Sequence, residues 1–159
     1  MSSDAAHWDA VEEAGELLHE EEFHKALEVL RDVIKKDPQN PYAYYFLGVA
    51  LYEVGELEAA RDAYRASLTL SPTYLGARLH LSHTLRELGD TRGALKEALQ
   101  ALSQTPGDND VLYAAGLAHL ARGENVAARK YLEAFLATRP EFETATEVQG
   151  ILASLPEIG

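Results

Sequence analysis

The sequence predicts an all-α array of four tandem helical hairpins closed by a C-terminal capping helix, and three observations predict it. Ala26, Ala60, Ala94 and Ala128 stand 34 residues apart. Pro38, Pro72, Pro106 and Pro140 keep the same spacing. Between them apolar residues recur at i, i+3, i+4 and i+7, as in Tyr44, Leu47, Gly48 and Leu51, the pattern of one helix face. Neither strand-like alternation nor an Asn-Gly hairpin signal occurs.

The register divides the chain into frames 7–40, 41–74, 75–108 and 109–142, and each shared column has a physical reason. Ala14, Gly48, Ser82 and Gly116 form a column of small residues where the two helices of a hairpin cross. The alanine column plays the same part on the second helix. Glu21, Gly55, Gly89 and Gly123 fall between the helices, where glycine supplies the left-handed conformation of a tight turn. Proline near the end of each frame stops the second helix. Leu17, Leu51, Leu85 and His119 share a further column, as do Ile34, Leu68, Leu102 and Leu136. Beyond the fourth frame, Ala145, Val148, Ile151, Leu152 and Leu155 make an apolar stripe that predicts a capping helix over 143–155, ended by Pro156. Too few residues precede frame one for a matching cap. Its first helix is therefore expected to show a polar outer side, carried by Glu12, Glu13, Glu16 and Glu20.

These columns resemble the tetratricopeptide repeat family over residues 7–142. Frame two is the nearest match, with Tyr44, Leu47, Gly48, Leu51, Gly55, Ala60, Tyr64 and Pro72 in family columns. The resemblance implies a right-handed α-solenoid and a single domain over 1–159. Departures stand at Glu13, Glu21, Arg78 and His119, and Gly76 and Gly93 lie inside helices, where glycine costs up to ~1 kcal/mol relative to alanine.

The resemblance also implies which positions face the concave groove. In frame order they are Trp8, Val11, Gly15 and Leu18; Tyr42, Tyr45, Val49 and Tyr52; Gly76, Leu79, His83 and Arg86; Asp110, Tyr113, Leu117 and Leu120. Trp8, Val11, Tyr42, Tyr45, Val49, Tyr52, Leu79, His83, Arg86, Tyr113 and Leu117 are the candidate partner contacts. Aromatic residues at such positions suit an interaction surface; alternatively, tyrosines pack within or between hairpins with only the hydroxyl in water. One family subclass clamps acidic C-terminal peptides with lysines, an arginine and asparagines. Val11, Gly15, Phe46, Gly76 and His80 stand at those positions, and none fits.

Composition narrows the function classes. The net charge of −12 argues against nucleic acid, which needs clustered Lys and Arg. Residues 1–40 hold eleven acidic and four basic side chains, and the glutamates at 12, 13, 16 and 20–22 read first as a solvated helix face, second as a surface that steers a basic partner. The absence of cysteine excludes disulfides and thiolate chemistry. No signal-like start and no long apolar run appear, so a cytoplasmic location without membrane insertion is expected. His80 with His83, and His19 with His24, lack the further ligands a metal site needs. No Gly-x-Ser-x-Gly elbow, Walker or dinucleotide fingerprint is present, so neither enzymatic activity nor a cofactor is expected.

The leading expectation is thus an adaptor that binds a peptide or helix of another protein. A second reading, from size, acidity and the lone last helix, is a small secretion-type chaperone resembling those of bacterial type III translocators. A third is a structural protein that self-associates.

Overall fold

The computed structural model describes residues 3–156. The described residues form ten helices and no strand: α1 (Ser3–Asp9), α2 (Glu12–His19), α3 (Phe23–Lys36), α4 (Pro41–Glu53), α5 (Leu57–Leu70), α6 (Leu75–Glu87), α7 (Thr91–Gln104), α8 (Asn109–Ala121), α9 (Asn125–Ala137) and α10 (Phe142–Ser154). They divide into two compact units, Met1–Thr84 and Leu85–Gly159.

In the first unit α4 crosses α5 through the small-residue column. A Cβ added at Gly48 would stand 2.5 Å from Tyr64 Cε1, so only glycine lets the Tyr64 ring lie against the α4 backbone. Tyr64, Ala60 and Ala63 are buried beneath it. Buried Asn40 caps α4, its Oδ1 accepting from Tyr42 N at 3.1 Å and Ala43 N at 3.3 Å, and Pro41 occupies the first helical position.

The first helix of frame one differs from expectation. It is broken at Ala10–Val11 into α1 and α2. An unbroken helix would pair Val11 N with His7 O. Instead Val11 N bonds to Trp8 O at 3.1 Å, and His7 O accepts from Asn40 Nδ2 at 2.8 Å. Two further contacts hold α1: His7 Nε2 lies 2.9 Å from Asp37 Oδ2 at the end of α3, and the Tyr42 hydroxyl of α4 donates to Asp4 Oδ1.

In the second unit Gly116 repeats the part of Gly48. Its added Cβ would stand 2.5 Å from Cδ2 of fully buried Leu132. Leu112, Leu132, Phe135 and Val148 form the core there, joined by half-buried Ile151 and Leu152 of α10. The expected apolar stripe of the last helix therefore does face the hairpin before it. Arg129 of α9 donates to the carbonyls of Leu152 and Leu155, satisfying groups at the C-terminal end of α10. Gly150 continues the small-residue column 34 residues after Gly116, yet nothing lies within 4 Å of a Cβ placed there.

The turn column behaves as its composition dictates. Gly55, Gly89 and Gly123 take φ of +87°, +86° and +73°. Glu21 takes φ +60° in the same place, a conformation that costs a side-chain-bearing residue about 1 kcal/mol or more. The other departures gain local partners. His119 stacks on Tyr131 at 5.5 Å, and Arg78 Nη2 donates to Pro72 O at 2.8 Å.

Candidate functional site

Six aromatic residues of the first unit, Trp8, Tyr42, Tyr45, Phe46, Tyr64 and Tyr74, form one chain of ring contacts with His80. Trp8 meets Tyr42 edge-on at 5.1 Å and Phe46 at 5.9 Å. Tyr42 meets Tyr74 at 5.4 Å. Tyr45 touches Phe46, Tyr74, His80 and Tyr64 at 5.0–6.1 Å. Gly76 makes room for this, since a Cβ there would come 3.2 Å from Tyr74 and 3.5 Å from Tyr45. A glycine that weakens α6 locally thus admits two tyrosine rings between helices.

Burial sorts these tyrosines. It pushes the phenols of Tyr64, Tyr74 and Tyr45 above their ordinary value of 10.0, and Tyr45 adds to the rise at the other two. For Tyr42 the hydrogen bond to Asp4 comes first, ahead of burial, in raising the phenol. Tyr45 is therefore chiefly a packing residue with a partly open edge. Trp8 differs: it keeps 46% of its surface exposed.

The remaining sequence candidates divide between the units. Val49 and Tyr52 of α4 and His83 of α6 are half-buried in the first unit. Arg86 and Tyr113, both half-buried, belong to the second unit. There Tyr113 packs on Phe135 at 5.0 Å; burial raises its phenol most, Glu147 adds to the rise by charge and hydrogen bond, and the Arg86 charge opposes it. Val11, Leu79 and Leu117, expected to face a groove, are buried instead. Aliphatic side chains without a polar end gain from leaving water, whereas the tyrosines at frame position 5, Tyr45 and Tyr113, stay half-buried. Leu117 also lies on α8, whose residues 114–118 are all buried, so it has no open face to occupy.

A cleft of about 510 Å³ opens on the first unit between α1–α2 and α4. Trp8, Val11, Gly15 and Phe46 supply its apolar surface, and Glu12, Glu16, His19 and Glu20 of the α2 segment edge it. Gly15 leaves Phe46 open to the cleft, since even an added Cβ would remain 3.9 Å from the ring. A second cleft, of about 340 Å³, includes Asp110, Tyr113, Phe135 and Glu141 in the second unit. Among the described residues no three His, Asp or Glu side chains stand together as metal ligands. Nor is any described helix long and apolar enough to cross a membrane.

The tetratricopeptide repeat profile matches residues 11–74 and 79–143, most of the chain. The protein belongs to the tetratricopeptide repeat family. Its fold, an all-α array of helical hairpins of this type, is shared by solved structures. The Pseudomonas aeruginosa protein pilF superposes with a TM-score of 0.82 at 22% identity, covering 94% of this chain and 69% of its own. YrrB, described as a TPR protein with an unusual peptide-binding site, superposes with a TM-score of 0.76 at 19% identity, covering 92% and 74%. Among curated proteins, the peroxisomal targeting signal receptor of Kluyveromyces lactis is 29% identical over 89 residues, 56% of this chain. The chain spans only 16% of that receptor's length.

Sequence reasoning missed two members of the first-unit site. Phe46 fell outside the groove positions of its frame, and its contact with Trp8 depends on the break at Ala10–Val11. Tyr74 precedes α6 and carried no periodic signal. A run of aromatic residues at 42, 44, 45 and 46 was the available clue, since so many rings on one short helix cannot all face one direction.

Proposed function

We propose that the chain is a non-catalytic interaction module that holds a peptide or helix of a partner protein against the α1–α2–α4 surface of its first unit. The observation that carries this reading is the 510 Å³ cleft with Trp8 exposed at its edge and Phe46 open beneath. Volumes of this order accommodate a few side chains of a ligand, and an exposed tryptophan beside a pocket is a favoured anchor for a partner. Trp8, Tyr42, Val49 and Tyr52 are the contact residues in this reading. Val11 forms floor, and Tyr45 holds Phe46 and Tyr74 in place. We also read residues 1–159 as one domain, with repeats at 7–40, 41–74, 75–108 and 109–142 and a cap over 143–155. Peptide binding by the structural neighbour YrrB and the family's general use as interaction modules support the assignment.

The test is a pull-down from the source cells with wild type, Trp8→Ala and Tyr52→Ala, quantified by mass spectrometry. The expected result is one set of partners depleted by both variants, while far-ultraviolet circular dichroism stays unchanged. Equal recovery of all partners by the three proteins refutes the surface. Light scattering of the same preparations reads whether a second copy occupies it.

A further inference from the structure

We propose that the occupant of the α1–α2 cleft is a basic amphipathic segment, which sets apolar side chains on Trp8 and Phe46 and pairs Lys or Arg with Glu12, Glu16 and Glu20. The inference rests on the peptide-binding reading above and adds the ligand's chemistry.

The floor of the cleft is apolar, and its charge has one sign. Glu12, Glu16 and Glu20 recur every four residues, so they line one side of the α2 segment, and all three border the cleft. None joins an ion pair among the described residues. On the neighbouring helix α3, Lys36 answers Asp32 at 2.9 Å, and Lys25 answers the capping residue Glu22 at 3.7 Å. Along α2 the like charges one turn apart repel. Glu16 and Glu20 also lie at the negative end of the helix dipole, where anions are unfavourable. A solvated face needs no such alignment beside an apolar opening.

A cationic ligand relieves both conflicts. The first 40 residues carry a net charge of −7, and an apolar wall focuses that field into the opening. Lysine and arginine lay their aliphatic stems on an apolar floor while the charged end reaches a carboxylate. The tryptophan face attracts the same cations. An acidic ligand meets repulsion from all three carboxylates.

Trp8 is the only tryptophan of the chain, so its fluorescence reports occupancy of the cleft by tryptophan-free peptides. The full chain is titrated with three synthetic helical peptides that share one apolar pattern and carry Lys and Arg, Gln, or Glu at the remaining positions. The basic peptide is expected to bind saturably, at least ~10-fold tighter than the Gln peptide, and to lose ~10-fold between about 0.05 and 0.5 M salt. The triple variant Glu12→Gln, Glu16→Gln, Glu20→Gln should weaken it ~10-fold. A control triple, Glu28→Gln, Glu56→Gln, Glu58→Gln, removes equal charge elsewhere and should stay within ~2-fold. Equal binding of the Gln and basic peptides, or equal weakening by both triples, overturns the basic ligand while leaving the peptide-binding reading intact. No saturable response to the basic peptide also overturns it, and the pull-down judges the wider reading separately.

Discussion

Replacing glycine by alanine along the small-residue column should change stability with opposite signs at different frames. At Gly48 the new methyl would meet Tyr64 Cε1, Cδ1 and Cζ at 2.5, 2.7 and 2.9 Å. Tyr64 is fully buried and flanked by Tyr45 and His80, so its ring has nowhere to swing. At Gly116 the methyl would meet Leu132 Cδ2 and Cγ at 2.5 and 2.7 Å, again a fully buried side chain. Overpacking of this kind costs about 1–3 kcal/mol. Alanine returns about 1 kcal/mol of helix propensity. Each variant should therefore lose up to about 2 kcal/mol. At Gly150, inside α10 and exposed, the methyl meets nothing within 4 Å. Only the propensity remains there, and Gly150→Ala should gain about 0.5–1 kcal/mol.

Urea unfolding followed by circular dichroism gives the three midpoints, and hydrogen exchange read by segment shows which unit responds. On heating, the shifts should be roughly 2–4 °C per kcal/mol. A stabilised Gly48→Ala or Gly116→Ala would refute the crossing role of the column. A destabilised Gly150→Ala would mean that α10 packs against something at that face.

Two further results follow from backbone and burial. Glu21→Gly removes a left-handed side-chain residue from a turn, and the net gain after the greater freedom of the unfolded chain should be about 0.5–1 kcal/mol by urea unfolding; an unchanged or lower midpoint contradicts it. The second concerns alkali. Tyr45, Tyr64 and Tyr74 hold folded-state values above the ordinary 10.0, so the folded state prefers the neutral phenol. That stabilisation is complete below the unfolded value of 10.0 and is lost as pH rises from there through the folded values. The urea midpoint should hold to about pH 9 and fall above it, with tyrosinate absorbance of the buried rings arriving only as helix is lost. Ionisation of all eight tyrosines near their ordinary value with the helices intact would refute the packing described for them.

Much of the fold was legible because its rules are local. Gly55, Gly89 and Gly123 take the positive φ that the turn column requires, and Pro38, Pro72 and Pro106 directly follow the capping residues that end α3, α5 and α7. What periodicity could not carry was pairing across the repeat. The break at Ala10–Val11 depends on Asn40, 33 residues away, taking the carbonyl of His7. The bond from Tyr42 to Asp4 spans 38. Neither partner signals the other in sequence, yet together they turn α1 onto α4 and open the cleft beside Trp8.

The candidate site was less legible. Frame position gave an expected set of groove residues, but burial depended on what each side chain was. Val11 and Tyr45 hold the same frame position. One is buried in the floor of the cleft, and the other stays half-buried, its ring lying against Gly76. Glycine shows most clearly why letters alone mislead. Gly55 serves a turn, Gly48 a helix crossing, Gly76 a pair of rings, and Gly150 none of these. The column gave Gly150 the place of Gly48, but a crossing needs a second helix, and α10 is followed by none among the described residues. The repeat pattern therefore records which contacts a helix is shaped to make; only the neighbours decide which of them exist.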